Sequence, residues 1–396
     1  MRPVRTETHA GAMTDARAVA RALRQWAVAQ ALPLWASAGW DADRGLFHER
    51  LHRDGTPDRA CPRRAMVQAR QIYVFAHAAT LGWHPDARER ALAGVTALQS
   101  RYWARDGAPG YAFSIATDGT LADATRDAYA HAFVLLAIAW AYRASGDAQI
   151  IGLVDTLLAF IDAHLTHRDG ALHESVPPRL PRRQNPHMHL FEAMLALHEC
   201  TGHPQALPRA RALFALMRSR FLDPETGTLR EFFDDDWRPA PGIARDHIEP
   251  GHHVEWVWLL HRYRTATGED TSALADDLFA TVRRFADPVN GTLIDEADRF
   301  GHVRKASRRL WPQTEAAKAW LAHAEAGDAD AAAQAARILA QVHAAYLSGP
   351  VPGAWHDQLD ADGKAAGAFV PASSLYHLVG AIAEADRVIA QPVIAE

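Results

Sequence analysis

Six stretches of the chain share one plan, and this repeat constrains the fold more than any other feature. Each stretch begins with a glycine, continues with strand or turn character, and is followed by a helix-like segment. Apolar residues recur every three or four positions in that segment and in the one after it, which is the period of an amphipathic helix. The glycines are Gly45, Gly110, Gly170, Gly227, Gly291 and Gly353, at intervals of 65, 60, 57, 64 and 62 residues.

The repeat predicts an all-α fold, an (α/α)6 barrel with short β-hairpin-like loops at one end. A linear solenoid of helix pairs is the alternative, but its repeats usually take about 34 to 47 residues and lack a strand-like insert. We predict a single catalytic domain over residues 13–396, preceded by a disordered extension at 1–12. The inner helices should start near Pro62, Ala122, Arg183, His247, Arg308 and Pro371, and the outer helices should cover 14–36, 84–104, 148–167, 204–222, 269–286 and 328–347.

Composition narrows the classes of partner. The chain is 48% hydrophobic and 22% charged, as is typical of a globular enzyme, and its net charge of −5 includes no dominant basic patch. We therefore expect neither a nucleic-acid partner nor a membrane, since no run of 18 consecutive apolar residues occurs. Cys61 and Cys200 are too few for a disulfide framework, so a reducing, cytoplasmic location is expected. The sequence leaves a homodimer open.

Polar side chains recur near the starts of the predicted inner helices. Because the same kind of loop precedes each inner helix, all six should start at one end of the barrel and direct these side chains into one cavity. A cavity lined by imidazole, guanidinium, carboxylate and hydroxyl groups indicates acid–base chemistry on a polar substrate. The residues are Arg70, Tyr129, Asn185, His189, His252, Glu255, Trp311, Gln313, Glu315 and His377.

The stretch EPGHHVEWVWLL, residues 249–260, places titratable groups in the first turns of an otherwise apolar helix. His252 and Glu255 are three residues apart and share a helix face, so we expect the Glu255 carboxylate to orient the His252 ring. An imidazole, with an ordinary pKa of about 6.5, has both protonation states available at neutral pH and suits proton transfer.

Other interpretations of these residues remain open from the sequence alone. A single histidine or arginine on an inner helix is often structural, and Arg70 could belong to a buried ion pair. His189, His252 and His377 could converge on a zinc ion. Glu255 and Glu315 could be the carboxylate pair of a glycoside hydrolase, and a non-catalytic sugar-binding scaffold is a further alternative.

Several of these stretches together resemble the N-acylglucosamine 2-epimerase family, which includes cellobiose 2-epimerases and mannose isomerases. They are QARQIYVF, YAHAF, NPHMHLFEAMLAL, EPGHHVEWVWLL, RLWPQTEAAKAW and SLYHL, in order over most of the chain. The resemblance implies an (α/α)6 barrel and proton transfer at C2 of an opened sugar without metal or cofactor.

The resemblance also implies a role for individual residues. His252 and His377 match the acid and base, and Arg70 matches the arginine at the O1/O2 region. His189 matches a histidine that binds sugar hydroxyls and assists ring opening. We place the remaining candidates in the substrate-binding set, which is Tyr129, Asn185, Trp311, Gln313, Glu315 and, from the last loop, Gln358.

The last stretch, VPASSLYHL, favours one branch of the family. Ala372 stands where cellobiose epimerases usually carry a tryptophan, and Leu375 stands at the position of their proline. An aromatic platform for a second sugar ring is therefore missing, and the stretch resembles the mannose isomerase branch. We expect interconversion of D-mannose and D-fructose, with D-lyxose and D-xylulose as further substrates. The basic run at 304–309 leaves mannose 6-phosphate open, and 2-epimerisation is the other alternative.

Overall fold

The chain folds into two concentric rings of helices. The structure, a computed structural model, describes residues 5–390, with side chains from residue 15 onward. The α-helices are α1 (Arg5–Trp26), α2 (Leu32–Ser37), α3 (Ala65–Thr80), α4 (Ala87–Tyr102), α5 (Ala128–Ser145), α6 (Ala148–Phe160), α7 (Asn185–Thr201), α8 (Ala206–Leu216), α9 (Pro250–Thr267), α10 (Ser272–Arg283), α11 (Leu310–Glu325), α12 (Ala331–Gln341) and α13 (Leu375–Ala385).

The odd-numbered helices from α3 to α13 form the inner ring. The outer ring consists of α4, α6, α8, α10, α12 and the helical segment that runs from α1 through α2, in which α1 packs against α12. An inner helix such as α5 buries residues on nearly every side because it contacts neighbours in both rings. The outer helix α12 instead buries one face, with Ala335, Ile338 and Leu339 directed inward. The predicted (α/α)6 barrel is confirmed.

Short antiparallel strands join consecutive repeats and close the ring. The strand before each inner helix pairs with a strand of the next repeat, as in β4–β5, β7–β8, β9–β10, β11–β12 and β14–β15, and β17 pairs with β3 of the first repeat. This last pairing places Val370 opposite Leu51, so the array is a closed barrel and not a solenoid. The strands are β1 (Trp40–Asp41), β2 (Leu46–Phe47), β3 (Arg50–His52), β4 (Arg63–Arg64), β5 (Ser114–Ile115), β6 (Leu121–Asp123), β7 (Arg126–Asp127), β8 (Ser175–Val176), β9 (Arg182–Arg183), β10 (Phe232–Phe233), β11 (His247–Ile248), β12 (Glu296–Asp298), β13 (Val303–Lys305), β14 (Arg308–Arg309), β15 (Gln358–Leu359), β16 (Ala365–Ala366) and β17 (Phe369–Pro371).

The repeated glycines are explained by their backbone conformation. All six have positive φ angles, from 66° at Gly45 to 92° at Gly110, which side chains with a Cβ rarely adopt. At Gly110 the space is also closed, because a Cβ would lie 2.4 Å from the Phe160 ring. The glycine therefore turns the chain from the outer helix into the loop that leads to the next inner helix.

A second repeated feature fastens each loop to its inner helix. In five repeats a glutamine or histidine in the first turns of the inner helix accepts a hydrogen bond from a loop backbone N–H. We call these side chains brace residues: Gln68, His131, His187, His253 and Gln313, which accept from Phe47, Tyr111, Leu172, Leu229 and Leu293.

Gln313 was predicted to bind substrate, and the structure corrects this. Its side chain is fully buried, and its amide nitrogen donates to the carbonyl oxygens of Leu293 and Arg309 while its oxygen accepts from Leu293. A sequence pattern of polar residues at inner-helix starts does not distinguish a brace from a substrate contact.

Two predictions concern segments outside the ring of the site. Of the extension predicted to be disordered, residues 5–12 belong to α1, whereas residues 1–4 lie outside the described part. The segment Ala148–Leu165 is long and apolar enough to span a membrane. In the structure it is the outer helix α6 with its π-helical end, and its apolar face packs on α5.

Candidate active site

The N-terminal ends of the inner helices bring the predicted histidines together. His252 of α9 and His377 of α13 both lie against the Trp311 ring of α11, with ring centroids 5.1 and 5.7 Å from it. His189 of α7 lies 5.0 Å from Tyr129 by the same measure. We call the space bounded by His189, His252, His377, Arg70, Tyr129 and Trp311 the cup.

The His252 ring is held by a loop carboxylate. Its Nδ1 lies 3.0 Å from both oxygens of Glu231, which follows Gly227 in the fourth repeat. Gln184 donates to the same carboxylate at 3.1 Å, which fixes the orientation of Glu231. Glu255 was predicted in this role, and that prediction is wrong; Glu231 was not among the predicted site residues.

The surroundings of His252 favour its charged form. Burial by itself lowers the pKa of this imidazole, but the negative charges of Glu231 and Glu249, with the hydrogen bond to Glu231, raise its pKa to about 9. One carboxylate oxygen of Glu231, one of Glu249 and a ring nitrogen of His252 all lie within 4.8 Å of one another. His252 is therefore an imidazolium at neutral pH and can donate a proton from Nε2.

The surroundings of His377 favour its neutral form. Burial lowers the pKa of His377 to about 4, although its hydrogen bond to Glu315 opposes the shift. The Nδ1–H donates to Glu315 at 2.8 Å, and Lys318 donates to the other Glu315 oxygen at 2.7 Å. Because Lys318 neutralises that carboxylate, Glu315 orients the ring without charging it, and the Nε2 lone pair is free to accept a proton.

Glu255 is buried and makes no hydrogen bond to His252 among the described residues. Both of its oxygens are buried and have no hydrogen-bond partner among the described residues. Burial, reinforced by the charges of Glu315 and Glu192, raises the pKa of Glu255 well above its ordinary range. A Glu255 oxygen lies near ring nitrogens of both His189 and His377, so this carboxyl forms part of the cup floor.

His189 is oriented from the neighbouring turn of its own helix. Its Nδ1 donates to Glu192 at 3.0 Å, and Glu192 also accepts a short hydrogen bond from the Tyr376 hydroxyl. Burial lowers the pKa of His189 to about 4 despite the contact with Glu192. His189 is therefore a neutral imidazole that can exchange hydrogen bonds with a hydroxyl in the cup.

Arg70 supplies a positive charge that no carboxylate neutralises within the described residues. Its guanidinium donates to the Tyr129 hydroxyl at 2.6 Å and to the Ser373 carbonyl at 3.2 Å. It also lies 4.1 Å from the Phe133 ring centroid. The side chain is only 5% exposed, so its field acts in a low-dielectric environment.

The other predicted contacts lie around the cup wall. Trp311 packs closely on the first turn of α9, since a Cβ on Gly251 would lie 2.4 Å from its ring. Asn185 begins α7 and has a buried side-chain oxygen with no partner among the described residues. Gln358, in β15 next to Arg309, donates to Ser307 at 2.8 Å and to Asp295 at 3.1 Å, which leaves its oxygen for a ligand.

Metal ligation can be tested on the geometry. Three groups have donor atoms within 4.8 Å of one another: His189 with Glu192 and Glu255, His252 with Glu231 and Glu249, and His377 with Glu255 and Glu315. In the described residues these groups do not combine His189, His252 and His377 around one point. The hydrogen bond from each imidazole to a carboxylate accounts for the proximity within each group.

A second cavity, of about 290 Å³, lies at the opposite end of the inner ring. Its walls include Trp140, Arg143 and Trp258. The side of this cavity nearer the cup is lined by Glu192, Lys318 and Tyr376. The same three side chains make the hydrogen bonds that position His189 and Glu315 at the floor of the cup. They therefore separate the two spaces.

Comparisons with known proteins place the chain among sugar isomerases and epimerases. The sequence model of the N-acylglucosamine 2-epimerase family matches residues 45–381. A mannose-6-phosphate isomerase of Rhizobium meliloti is 38% identical, over 92% of this chain and 96% of the relative, and a D-mannose isomerase of Thermobifida fusca is 28% identical, over 63% and 66%. The cellobiose 2-epimerase structure from Spirochaeta thermophila superposes with a TM-score of 0.84 at 22% identity, covering 94% of this chain and 97% of that one.

Proposed function

The chain belongs to the N-acylglucosamine 2-epimerase family, and from this premise we propose that it interconverts D-mannose and D-fructose by proton transfer between two histidines. The observation that carries the proposal is that two imidazoles on one tryptophan have different surroundings, which shift their pKa values in opposite directions. His252, beside Glu231, is cationic, whereas His377, beside a neutralised Glu315, is neutral. A site that needs one acid and one base at the same pH is built in this way.

The reaction begins with the open-chain aldehyde, whose C2 proton is acidic. The Nε2 of His377 removes this proton, and the electron pair moves through C1 to the carbonyl oxygen, forming an enediolate. The imidazolium of His252 donates a proton to the developing oxygen O1 and becomes neutral. His377 then returns the proton from C2 to C1, and the O2–H proton passes to His252, which regenerates its imidazolium. No atom is gained or lost, and the product is the ketose.

Arg70 stabilises the charge that develops on the enediolate. A fixed, buried cation aimed at a developing oxyanion contributes more than the same charge in water, because no solvent must reorganise. Tyr129, which accepts from Arg70 at 2.6 Å, holds the guanidinium in place. The neutral His189 and the unpartnered Asn185 oxygen provide hydroxyl contacts along the rest of the sugar.

The partners of the basic run at 304–309 favour an unphosphorylated sugar as the substrate. A phosphate needs donors that are not already engaged, and each basic side chain of the run at 304–309 has at least one partner within the protein. Its side chains pair as follows: Arg304 with the Ile243 carbonyl, Lys305 with Glu296, Arg308 with Asp287, and Arg309 with Glu249 and Asp295.

Mannose 6-phosphate is the second candidate substrate, because the relative from Rhizobium meliloti carries that name and matches nearly the whole chain. Measuring kcat/KM for mannose and for mannose 6-phosphate in the same ketose assay separates the two. We expect the free sugar to be preferred. A preference for the phosphate would indicate that an arginine of the run at 304–309 leaves its carboxylate partner to bind the phosphate.

The remaining alternatives fit the site less well. Hydrolysis by Glu255 and Glu315 needs two available carboxyl groups, but Glu315 is occupied by His377 and Lys318. In a 2-epimerisation of cellobiose a second sugar ring would need a platform at Ala372, which is fully buried. Incubation with mannose, N-acetylglucosamine and cellobiose, followed by NMR, tests hydrolysis and 2-epimerisation against isomerisation, and ketose formation from mannose alone is expected.

We propose that the enzyme works in the cytoplasm without metal or cofactor. A nucleic acid or membrane partner is not part of the proposal, and a homodimer remains open. Activity that is lost on chelation and restored by zinc would contradict the metal-independent mechanism.

A further inference from the structure

The fourth repeat departs from a pairing that three other repeats share, and the departure lies next to His252. The pairing joins two positions of a repeat. We call the residue four positions before a brace residue the helix-start residue, and the acidic residue in the loop four positions after the repeated glycine the loop acid.

Three repeats pair these residues in the same way. In each, the loop acid accepts from both the backbone N–H and the Nε–H of a helix-start arginine. In the first repeat the distances from Arg64 to Glu49 are 3.0 and 2.6 Å. From Arg183 to Glu174 they are 2.7 and 2.6 Å, and from Arg309 to Asp295 they are 2.6 and 3.3 Å.

The fourth repeat has a glutamate at the helix-start position. Glu249 is four residues before the brace His253, and its carbonyl oxygen accepts from that ring, as the Arg183 carbonyl does from His187. The loop acid of this repeat is Glu231. Because Glu249 cannot donate to it as an arginine would, Glu231 accepts instead from His252 and Gln184.

The structure assigns Glu249 as a positioning residue: by replacing the arginine of the repeat, it leaves the Glu231 carboxylate free to hold His252 and adds a second negative charge beside the ring. The Glu249 carboxylate is itself fixed, since Arg309 donates to it at 2.8 Å. In the repeat that carries His252, the loop acid is thus paired with this histidine in place of a helix-start arginine. The second repeat, with Ser114 and Asp127 at the two positions, also lacks the arginine pair.

Other charged groups around His252 do not remove this dependence. The groups facing it are Glu231 from the loop, Glu249 and Glu255 from the α9 end, His189 from α7 and Arg309 from α11. Burial and its carboxylate neighbours raise the pKa of Glu255, and the charge of Arg309 is shared between Glu249 and Asp295. Glu231 and Glu249 therefore raise the pKa of His252 more than Glu255 does.

The test restores the pairing. In Glu249→Arg the new guanidinium should donate to Glu231 in place of His252. The NMR resonance of the His252 Nδ1–H, which the hydrogen bond to the carboxylate produces, should therefore disappear. The pKa of His252 measured by NMR should fall by more than about one unit. We expect kcat to fall by roughly 10- to 100-fold, while the thermal midpoint stays at or above that of the parent. Glu249→Gln removes only the charge, so it should lower the pKa of His252 while keeping the Nδ1–H resonance.

The inference rests on the proposed isomerisation only for the kcat readout, since the NMR measurement needs no substrate. A folded Glu249→Arg variant with unchanged His252 pKa and resonance would overturn it. If that variant does not fold, an unchanged His252 pKa in Glu249→Gln would do so. If the His252 pKa falls in these variants but the parent enzyme isomerises no sugar, the inference is supported and the proposed function is refuted.

Discussion

Replacing Glu231 by glutamine keeps the shape of the side chain and removes the charge that holds His252. The imidazole has a pKa of about 9, against an ordinary value of 6.5, a difference worth about 3 kcal/mol at 1.36 kcal/mol per unit. Without the Glu231 charge, burial is opposed mainly by Glu249, so the pKa of His252 should fall towards its ordinary value of 6.5.

The consequence for catalysis follows from the direction of this shift. The acid form of His252 is the active one, so kcat/KM falls as pH rises through its pKa, while the lower limb follows the pKa of His377 at about 4. With a pKa of 6.5, His252 is protonated in about one molecule in ten at pH 7.5, so kcat/KM there should drop about tenfold or more. The loss should shrink as the pH is lowered towards 5.5.

The assay is mannose-to-fructose conversion across pH 4.5 to 9.5, with Glu49→Gln as the matched control. Glu49 occupies the same place in the first repeat, but it holds Arg64 and no histidine. The control should lose stability without moving the alkaline limb. An unchanged alkaline limb in Glu231→Gln, or the same displacement in Glu49→Gln, would refute the assignment of His252 as the acid.

Four further predictions concern other parts of the mechanism and fold. His377→Asn should abolish ketose formation while the thermal midpoint stays within a few degrees, and retained turnover would remove this residue from the reaction. Arg70→Met should lower kcat by roughly 10²- to 10³-fold with a smaller change in KM. A rise in KM with an unchanged kcat would instead make Arg70 a residue that only binds substrate. His253 is buried, and burial lowers its pKa to about 4. The unfolded chain therefore takes up a proton at this histidine before the folded chain does, and the free energy of unfolding falls as pH drops from 6.5 through 4. His253→Gln, which places the glutamine of two other brace residues here, should reduce this pH dependence as measured by urea unfolding. Activity should survive EDTA and dialysis, and a loss reversed by zinc would contradict the acid–base account.

The fold was predictable because its repeat is written in residues with strict backbone or packing requirements. Six glycines with positive φ mark the turns, and the apolar period of the helices between them is long enough to be unambiguous. Which ends of the helices hold the site also followed, since one loop type precedes every inner helix. Closure of the ring through β17 and β3 depends on the full set of crossing angles and was open to the solenoid alternative until the strands were seen.

The site was only partly predictable, for reasons that differ between residues. His252 and His377 were identified because an imidazole at the start of an apolar helix is unusual. Glu231 was missed because it approaches His252 from a loop, where sequence spacing says little about contact. The signal that would have found it is the absence of an arginine at position 249 of the fourth repeat. Helix spacing alone assigned the role to Glu255, whose shared face with His252 does not say which neighbour its carboxyl meets.

Gln313 shows the opposite error. It stands at an inner-helix start beside Trp311 and Glu315, both of which contribute to the cup, yet its own side chain is used entirely by backbone groups. Comparing the repeats position by position, and not helix by helix, would have grouped it with Gln68 and identified a fastening role.

The most direct test of the account is a crystal structure with D-mannitol, an open-chain hexitol that has no carbonyl and cannot react. The account predicts that its first two carbons lie between the two imidazoles, with Nε2 of His252 and Nε2 of His377 each within about 3.5 Å of that end of the ligand. Mannitol seated against only one of these rings, or found in the cavity at the other end of the barrel, would contradict it.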